Sequence, residues 1–256
     1  MFIFCGGMFR SGSTLQYQIV SQIVEDFGLG ERITWHSPDN FPEIRRSHGS
    51  KHRVLVFKAH ELTSEMEQEV EINGAIIMTV HRDIRDVVVS AMKKNRWSFR
   101  KIWRNNRLNY WTKRFDKWAQ QPQAHIFKYG DLITDLPQTV QTIANQLGLA
   151  ISHSQATELA KQYSIENQKK RTSEVDAKQK SGALNTKFDP HSLLHHNHIA
   201  TGGIGEYKTF LKPHQISATE KQCSAWMSRW GYDKDKPKLS FTQQMLRLTY
   251  RTKHYT

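Results

Sequence analysis

Short apolar runs alternate with amphipathic stretches along this chain. Residues 1–5 form an apolar run that ends at two glycines, and further runs occupy residues 53–58, 75–80 and 124–128. Apolar runs of this length, bounded by turn residues, are typical of strands that are buried inside a sheet. The pattern therefore predicts four buried strands.

Helical spacing follows most of the predicted strands. Between Leu15 and Phe27, apolar residues recur about every four positions, which predicts a helix that stops at Gly28 or Gly30. Further helices are predicted from Ser64, through residues 87–92, over residues 97–118 and over residues 139–147. Strands that alternate with helices predict an α/β fold with three layers, in which helices flank a central, mostly parallel sheet.

The remaining segments carry little apolar periodicity. Residues 168–202 are polar and rich in lysine and histidine, which predicts a long loop. No repeat or linker divides the 256 residues. We therefore predict a single domain over residues 1–256, with a core over about 1–211 and a helical C-terminal tail over about 215–256.

The composition indicates the chemical class of the ligands but does not identify the function. The formal net charge is +13 and the isoelectric point is near 9.7, so anions are the expected ligands. Two cysteines are too few for a disulfide scaffold, and no apolar run approaches the ~20 residues that cross a bilayer. The first residues also lack the basic stretch of a signal peptide. We therefore expect a soluble, cytoplasmic protein.

The segment Gly7–Thr14, called the phosphate loop below, lies between the first predicted strand and the first predicted helix. It has the glycine spacing of a Walker A loop and ends in a threonine. In such a loop, backbone N–H groups and the helix N-terminus converge on a phosphate. Ser13 stands where a Walker lysine bridges the β- and γ-phosphates, and Arg10 supplies a cation earlier in the loop. The loop thus predicts a domain of P-loop type that holds one 5′-phosphate and its attached group.

This loop resembles that of the sulfotransferases that use 3′-phosphoadenosine 5′-phosphosulfate (PAPS). The shared residues are Arg10, Ser11, Gly12, Ser13 and Thr14. The resemblance implies that these residues, together with Leu15 at the start of the helix, bind the 5′-phosphate and the sulfate. It also implies a P-loop sulfotransferase fold.

Two further elements extend the resemblance. Arg82 at the end of a strand and Ser90 on the next helix are similar to the family's 3′-phosphate ligands, and both can converge on an anion beside the loop. Lys58 and His60 resemble a pair in which the lysine contacts the transferring sulfate and the histidine is the general base. Glu61 is a second candidate for the base. Lys58 and Arg10 would stabilise the charge on the leaving nucleotide.

Weaker matches lie later in the chain. Tyr129 is similar to a family tyrosine near the adenine, and Ser164 falls where the family contacts the base. Gly202 and Gly203 begin a segment that resembles the loop closing over the 3′-phosphate. The Arg-Lys pair that often precedes that loop is absent, because Ala200 and Thr201 occupy its place.

Together these features predict an enzyme, a PAPS-dependent sulfotransferase acting on a hydroxyl or amine acceptor. The expected product of the donor is 3′,5′-adenosine bisphosphate, and no metal is expected. Two alternatives stay open, namely a P-loop phosphotransferase and a non-catalytic protein that binds polyanions or nucleic acid. Nucleic acid is not an expected partner under the favoured interpretation.

Two basic segments have no assigned role in this scheme. Residues 93–114 carry nine lysines or arginines and no acid, interleaved with aromatic residues. An amphipathic helix with inward tryptophans is favoured there, and an anionic or glycan acceptor site is the functional alternative. Phe241, Met245 and Leu248 have helical spacing beside Arg247, for which we favour simple packing over a peripheral membrane contact.

Overall fold

The computed structural model of the chain describes residues 1–48, 53–181, 184, 186, 188–195 and 202–250. By their internal contacts the residues form two compact units. Unit 1 comprises Met1–His81 and Arg114–Gly202, and unit 2 comprises Arg82–Lys113 and Gly203–Thr256. The single domain with a core and a helical tail stays a prediction.

A parallel five-stranded sheet forms the centre of unit 1. Its strands are β1 (Phe2–Gly7), β2 (Gly30–Arg32), β3 (Val54–Lys58), β4 (Ala75–His81) and β5 (Ala124–Lys128), in the order β2-β3-β1-β4-β5. All four pairings are parallel. The predicted α/β fold with a parallel central sheet is confirmed. Because β1 lies between β3 and β4, the strand order reverses beside it, and ligands of open α/β sheets bind at the carboxyl ends of such strands.

Helices follow most strands in the order that the sequence predicts. Unit 1 contains α1 (Ser13–Asp26), a short 3₁₀ turn (Pro38–Asn40), α2 (Phe41–His48) and α3 (Ser64–Glu71). Unit 2 contains α4 (Ile84–Asn95) and α5 (Phe99–Arg104), and α6 (Arg107–Ala119) continues from unit 2 into unit 1. The later helices of unit 1 are α7 (Tyr129–Thr134), α8 (Leu136–Gln146), α9 (His153–Gln162) and α10 (Ile165–Lys180). The later helices of unit 2 are α11 (Tyr207–Phe210), α12 (Pro213–Gln222), α13 (Ser224–Arg229) and α14 (Phe241–Leu248).

Each face of the sheet is covered by its own apolar cluster. Alternate residues of β1 point to opposite faces. Ile3 and Cys5 belong to the cluster that includes residues of α1, α8 and α9. Phe2 and Phe4 belong to the other cluster, with residues of α2, α3 and the indole of Trp118. The sheet is therefore buried on both faces, as its continuous apolar strands predict.

The long loop predicted over residues 168–202 is wrong for its first part, because α10 runs to Lys180. The buried residues of α10 are Gln168, Thr172 and Val175, which share one helical face. The side-chain Nε2 of Gln168 donates to the side-chain Oε1 of Gln18 in α1 at 2.8 Å. This helix docks through a largely polar stripe, so an apolar period could not reveal it.

The single helix predicted over residues 97–118 is in fact two, α5 and α6. They are separated at Asn105 and Asn106, and Asn106 has a φ of 49°. Asparagine tolerates the left-handed region better than other residues with a side chain, which explains the break. The inward packing of tryptophan is confirmed for Trp111, which is buried.

Candidate active site

The phosphate loop connects β1 to α1 and is fixed by its own backbone. Gly7 and Gly12 have φ values of 150° and 90°. Ser11 N donates to Met8 O at 3.2 Å, and Arg10 between them has a φ of 59°, as the third residue of a tight turn requires. A Cβ atom at Gly7 would lie 2.8 Å from Val80 O, so glycine is needed there.

The Ser11 side chain attaches the loop to β4. Its hydroxyl is buried and lies 2.6 Å from Met8 O and 2.8 Å from Val80 O. Met8 N also donates to Val80 O at 2.9 Å. The hydroxyl thus holds the turn against the sheet, while its part in nucleotide binding stays a prediction.

The N-terminus of α1 is suited to an anion. The first intrahelical bond runs from Gln16 N to Gly12 O at 3.0 Å. The amides of Ser13, Thr14 and Leu15 therefore lack helical partners. The first turn contains no acid, and no side chain caps it within the described chain. Unused amides and the positive end of the helix dipole fit a bound 5′-phosphate.

Tyr129 lies directly over the loop. It begins α7 immediately after β5, and a Cβ atom at Gly12 would lie 2.8 Å from its ring. Its hydroxyl donates to Gly202 O at 2.9 Å. The structure therefore brings together three residues predicted as nucleotide ligands from widely separated parts of the sequence, namely Gly12, Tyr129 and Gly202.

Lys58 is a buried cation at the carboxyl end of β3. It pairs in register with Cys5 of β1, the strand that leads into the phosphate loop, and it is 4% exposed. Burial lowers the pKa of Lys58 to about 8, so the amine stays mostly charged at neutral pH. Among the described residues, no carboxylate pairs with it. A buried cation that no described carboxylate neutralises fits an anionic ligand.

His60 lies two residues beyond Lys58 and is exposed. The positive charge of Lys58, and further that of Arg114, holds the pKa of His60 well below its ordinary value. The imidazole is therefore neutral at physiological pH, which is the form that accepts a proton. Its neighbour Glu61 forms an ion pair with Arg114 at 2.8 Å.

Arg114 is a site residue that motif reasoning missed. Its guanidinium donates to the His60 backbone oxygen and pairs with the Glu61 carboxylate, so one side chain contacts both candidate residues. The residue is the last cation of the basic segment 93–114, and its separation of 54 residues from His60 gave no local signal.

Unit 2 contains three further predicted ligands, Arg82, Ser90 and Gly203. Arg82 follows β4 directly and is buried, and its Nη2 donates to Gly203 O at 2.6 Å. Asp86, one turn further, accepts from Gly205 N at 2.8 Å and from Tyr207 N at 3.1 Å. Arg82 and Gly203 are thus brought together, and Asp86 shapes the segment that follows them. Ser90 is buried on α4.

The Ser164 side chain shows a structural contact. Its hydroxyl accepts from Asn167 N at 3.2 Å and caps α10. The predicted contact of Ser164 with the base stays a prediction.

Two features are absent from the described part of the chain. No group of three or more His, Cys, Asp or Glu side chains is arranged to hold a metal ion. Nor does any of the described helices combine the length and the apolar character needed to traverse a bilayer. The cytoplasmic location stays a prediction.

Comparisons with known proteins agree with this geometry. A family model described as a sulfotransferase domain matches residues 3–231. A search of curated protein sequences finds no match.

Two solved structures with the same fold are both complexes with PAP. Retinol dehydratase in complex with androsterone and the inactive cofactor PAP is 18% identical, with 94% of this chain and 83% of that chain covered and a TM-score of 0.61. A mouse sulfotransferase complexed with PAP is 14% identical, with 96% and 88% covered and a TM-score of 0.66. At these identities the likeness concerns the fold alone.

Proposed function

Since this chain belongs to the sulfotransferase family, we propose that it transfers a sulfuryl group from PAPS to a hydroxyl or amine acceptor. The observation that carries the proposal is the buried cation Lys58, which no described carboxylate neutralises, beside the strand that leads into the phosphate loop. The donor, when bound, supplies the sulfuryl group and leaves as 3′,5′-adenosine bisphosphate. The alternatives of a phosphotransferase and a non-catalytic binder find no support.

The phosphate loop would bind the 5′ end of the donor. The amides of Ser13, Thr14 and Leu15 and the side chain of Arg10 supply donors and a positive charge there. Lys58 and Arg10 would stabilise the negative charge that grows on the oxygen of the leaving nucleotide. Lys58 suits this role because its amine is charged at neutral pH and held in a buried position.

His60 would remove the acceptor's proton. Lys58 lowers the pKa of the imidazole in the free protein, and an anionic donor beside Lys58 would offset that positive charge. Binding of the donor would then raise the pKa of His60 towards neutrality, where a general base works best. Glu61 is the second candidate, and its carboxylate is already paired with Arg114.

We assign the 3′-phosphate to Arg82 and Ser90, with Gly202 and Gly203 beside it, and the adenine to Tyr129 and Ser164. For Arg82, the support is a buried guanidinium fixed to the Gly203 carbonyl oxygen. For Tyr129, it is the ring placed over Gly12. These assignments follow the family resemblance residue by residue.

The acceptor would bind near residues 93–114. Within unit 2, Trp97 has Lys101 at 5.3 Å and Arg107 at 5.5 Å from its ring centroid. An indole between two cations suits an anionic acceptor or a glycan. Labelled donor tested against pooled phenols, glycans, lipids and peptides identifies the class, and Trp97→Ala should raise the KM for that acceptor alone.

Calorimetry tests the donor. We expect 3′,5′-adenosine bisphosphate to bind in the presence of EDTA and Mg-ATP to bind at least 10-fold more weakly. Binding of Mg-ATP alone would overturn the proposal in favour of a phosphotransferase. Binding of neither nucleotide would favour a non-catalytic protein.

Substitution tests the base. We expect His60→Ala to retain nucleotide affinity and to lose transfer by about 100-fold or more, since general bases contribute on this scale. His153→Ala, at an exposed position at the start of α9, is the matched control. Transfer at the parent rate in His60→Ala would exclude His60 as the base.

A further inference from the structure

The positive charge of the protein is concentrated in unit 2. This unit has 20 of the 37 lysines and arginines but only six of the 24 acids, a net charge of +14. Unit 1 has the other 17 cations and 18 acids, a net charge of −1. The excess charge therefore lies outside the unit that contains the phosphate loop and Lys58.

Part of this charge lines a cavity within unit 2. The cavity has a volume of about 480 Å³ and lies among α12, α13, α14 and the segment before α14. Four cations and two hydroxyls face it, from Ser217, Lys221, Ser224, Lys234, Lys236 and Arg247. Lys234 Nζ donates to Ser224 Oγ at 2.5 Å, and Arg247 Nη1 donates to Ser217 Oγ at 3.4 Å. These groups suit a phosphate ester.

One acid, Glu220, lines the cavity against its four cations. Glu220 pairs with Arg85 at 2.6 Å. It also accepts from the backbone N–H of Asp235 at 2.8 Å and of Lys236 at 3.2 Å. The cavity is therefore cationic on balance.

The helix α14 beside this cavity exposes an apolar face. Phe241, Met245 and Leu248 are spaced by four and three residues, and they are 78%, 51% and 42% exposed. The simple packing favoured from the sequence is therefore wrong for these side chains.

The position of α14 is nevertheless fixed. Ser240 and Gln243 form a capping box at its start. Tyr250 beyond its end contacts the rings of Phe99 and Trp103 at 5.0 and 5.3 Å. The exposed apolar face is therefore held outward at a defined place next to the cationic cavity.

We propose that α14 and the adjacent cavity form a docking site for an anionic phospholipid membrane. Lipid headgroup phosphates would enter the cavity, while Phe241, Met245 and Leu248 enter the boundary between headgroups and acyl chains. The four cations that line the adjacent cavity repel a second copy of unit 2 and attract an anionic surface. Phosphates of a nucleic acid would leave the apolar face exposed. The proposal is independent of the transfer reaction.

Vesicle sedimentation with the full chain tests the surface. We expect binding to phosphatidylcholine vesicles that contain about 30% phosphatidylglycerol, and at least 10-fold weaker binding to pure phosphatidylcholine. Binding should weaken as NaCl rises from about 0.1 M to about 0.5 M. Equal binding to both vesicle types, or no binding to either, would overturn the proposal.

Variants locate the contact. Lys221→Gln with Lys236→Gln should weaken binding by about 5-fold per lysine, and Phe241→Ser with Met245→Ser should weaken it without any change in charge. Lys169→Gln with Lys170→Gln removes two exposed cations of α10 in unit 1 and should bind as the parent does. Equal losses in the control would refute the site. The site would also be refuted if the chain dimerised or bound an oligonucleotide through α14 and did not bind the vesicles.

Discussion

The interiors of the two units are built from different kinds of contact. Unit 1 is organised by two apolar clusters, one on each face of its sheet. Unit 2 has a buried cation at its centre. Arg85 lies 2.7 Å from Asp83, 2.6 Å from Glu220 and 4.0 Å from the ring centroid of Tyr207.

The two units therefore differ in how far apart in sequence the residues of their key contacts lie. Apolar layers fill unit 1 through periodic residues that lie close together in the sequence. Unit 2 also buries apolar side chains such as Val88 and Met227, and it adds a buried polar pair that is distant in sequence, since Arg85 and Glu220 are separated by 135 residues. Such an ion pair needs both partners, because loss of one leaves the other buried without a counter-charge. Loss of Arg85 should therefore be among the most destabilising substitutions in unit 2.

The largest expected effect is in the centre of unit 2. Arg85→Ala should lower the free energy of unfolding by about 3–5 kcal/mol, because Asp83 and Glu220 lose their buried partner. Lys161→Ala breaks an exposed pair of unit 1 and should cost at most about 0.5 kcal/mol. Urea unfolding measured by circular dichroism checks both. Similar values for the two variants would show that burial of the Arg85 pairs does not increase their contribution to stability.

The phosphate loop of unit 1 should show the next largest effect. Gly12→Ala places a Cβ atom 2.8 Å from the Tyr129 ring at a φ of 90°. Affinity for 3′,5′-adenosine bisphosphate should fall more than about 100-fold, equivalent to about 3 kcal/mol. Gly28→Ala also has a positive φ, but its Cβ atom would meet no neighbour, so it should keep the affinity. Calorimetry measures both, and an equal loss in the two would assign the effect to backbone strain alone.

The sequence predicts the features that depend on neighbouring residues and misses those that depend on contacts between distant residues. The strands, α1 and the phosphate loop are encoded by neighbouring residues, so their pattern was readable. Arg114 and Asp86 act on groups 54 and 119 residues away, and their positions depend on packing that no local motif describes.

Two predictions about helices are wrong for related reasons. The buried stripe of α10 is mostly polar, so its sequence pattern predicts a loop. The spacing of apolar residues in α14 predicts packing, because helical spacing identifies an apolar face but not what covers it. Apolar periodicity therefore predicts a helix only where its buried face is apolar. It does not show which part of the protein, or which other molecule, covers that face.

The third prediction concerns His81, a buried histidine of unit 1 that stays uncharged in the folded protein. His81 at the end of β4 is 5% exposed, and burial, with a contribution from Lys128, lowers its pKa to about 4. The unfolded chain binds the proton more tightly, so stability is present above about pH 6.5 and is lost as the pH falls towards 4. The free energy of unfolding should decrease by about 2 kcal/mol from about pH 7 to about pH 5 through this residue. His81→Gln should flatten that part of the profile, and an unchanged slope would contradict the assignment.

The smallest expected effect separates the two candidate bases. Glu61 is 61% exposed and paired with Arg114, so the pair contributes at most about 1 kcal/mol to stability. Glu61→Gln removes the carboxylate but keeps its shape, and transfer should fall less than about 3-fold if His60 is the base. Loss of the pair would leave Arg114 bonded to the His60 carbonyl oxygen, so the position of His60 should be retained. A fall of 100-fold or more, with nucleotide affinity unchanged, would instead identify Glu61 as the group that takes the proton.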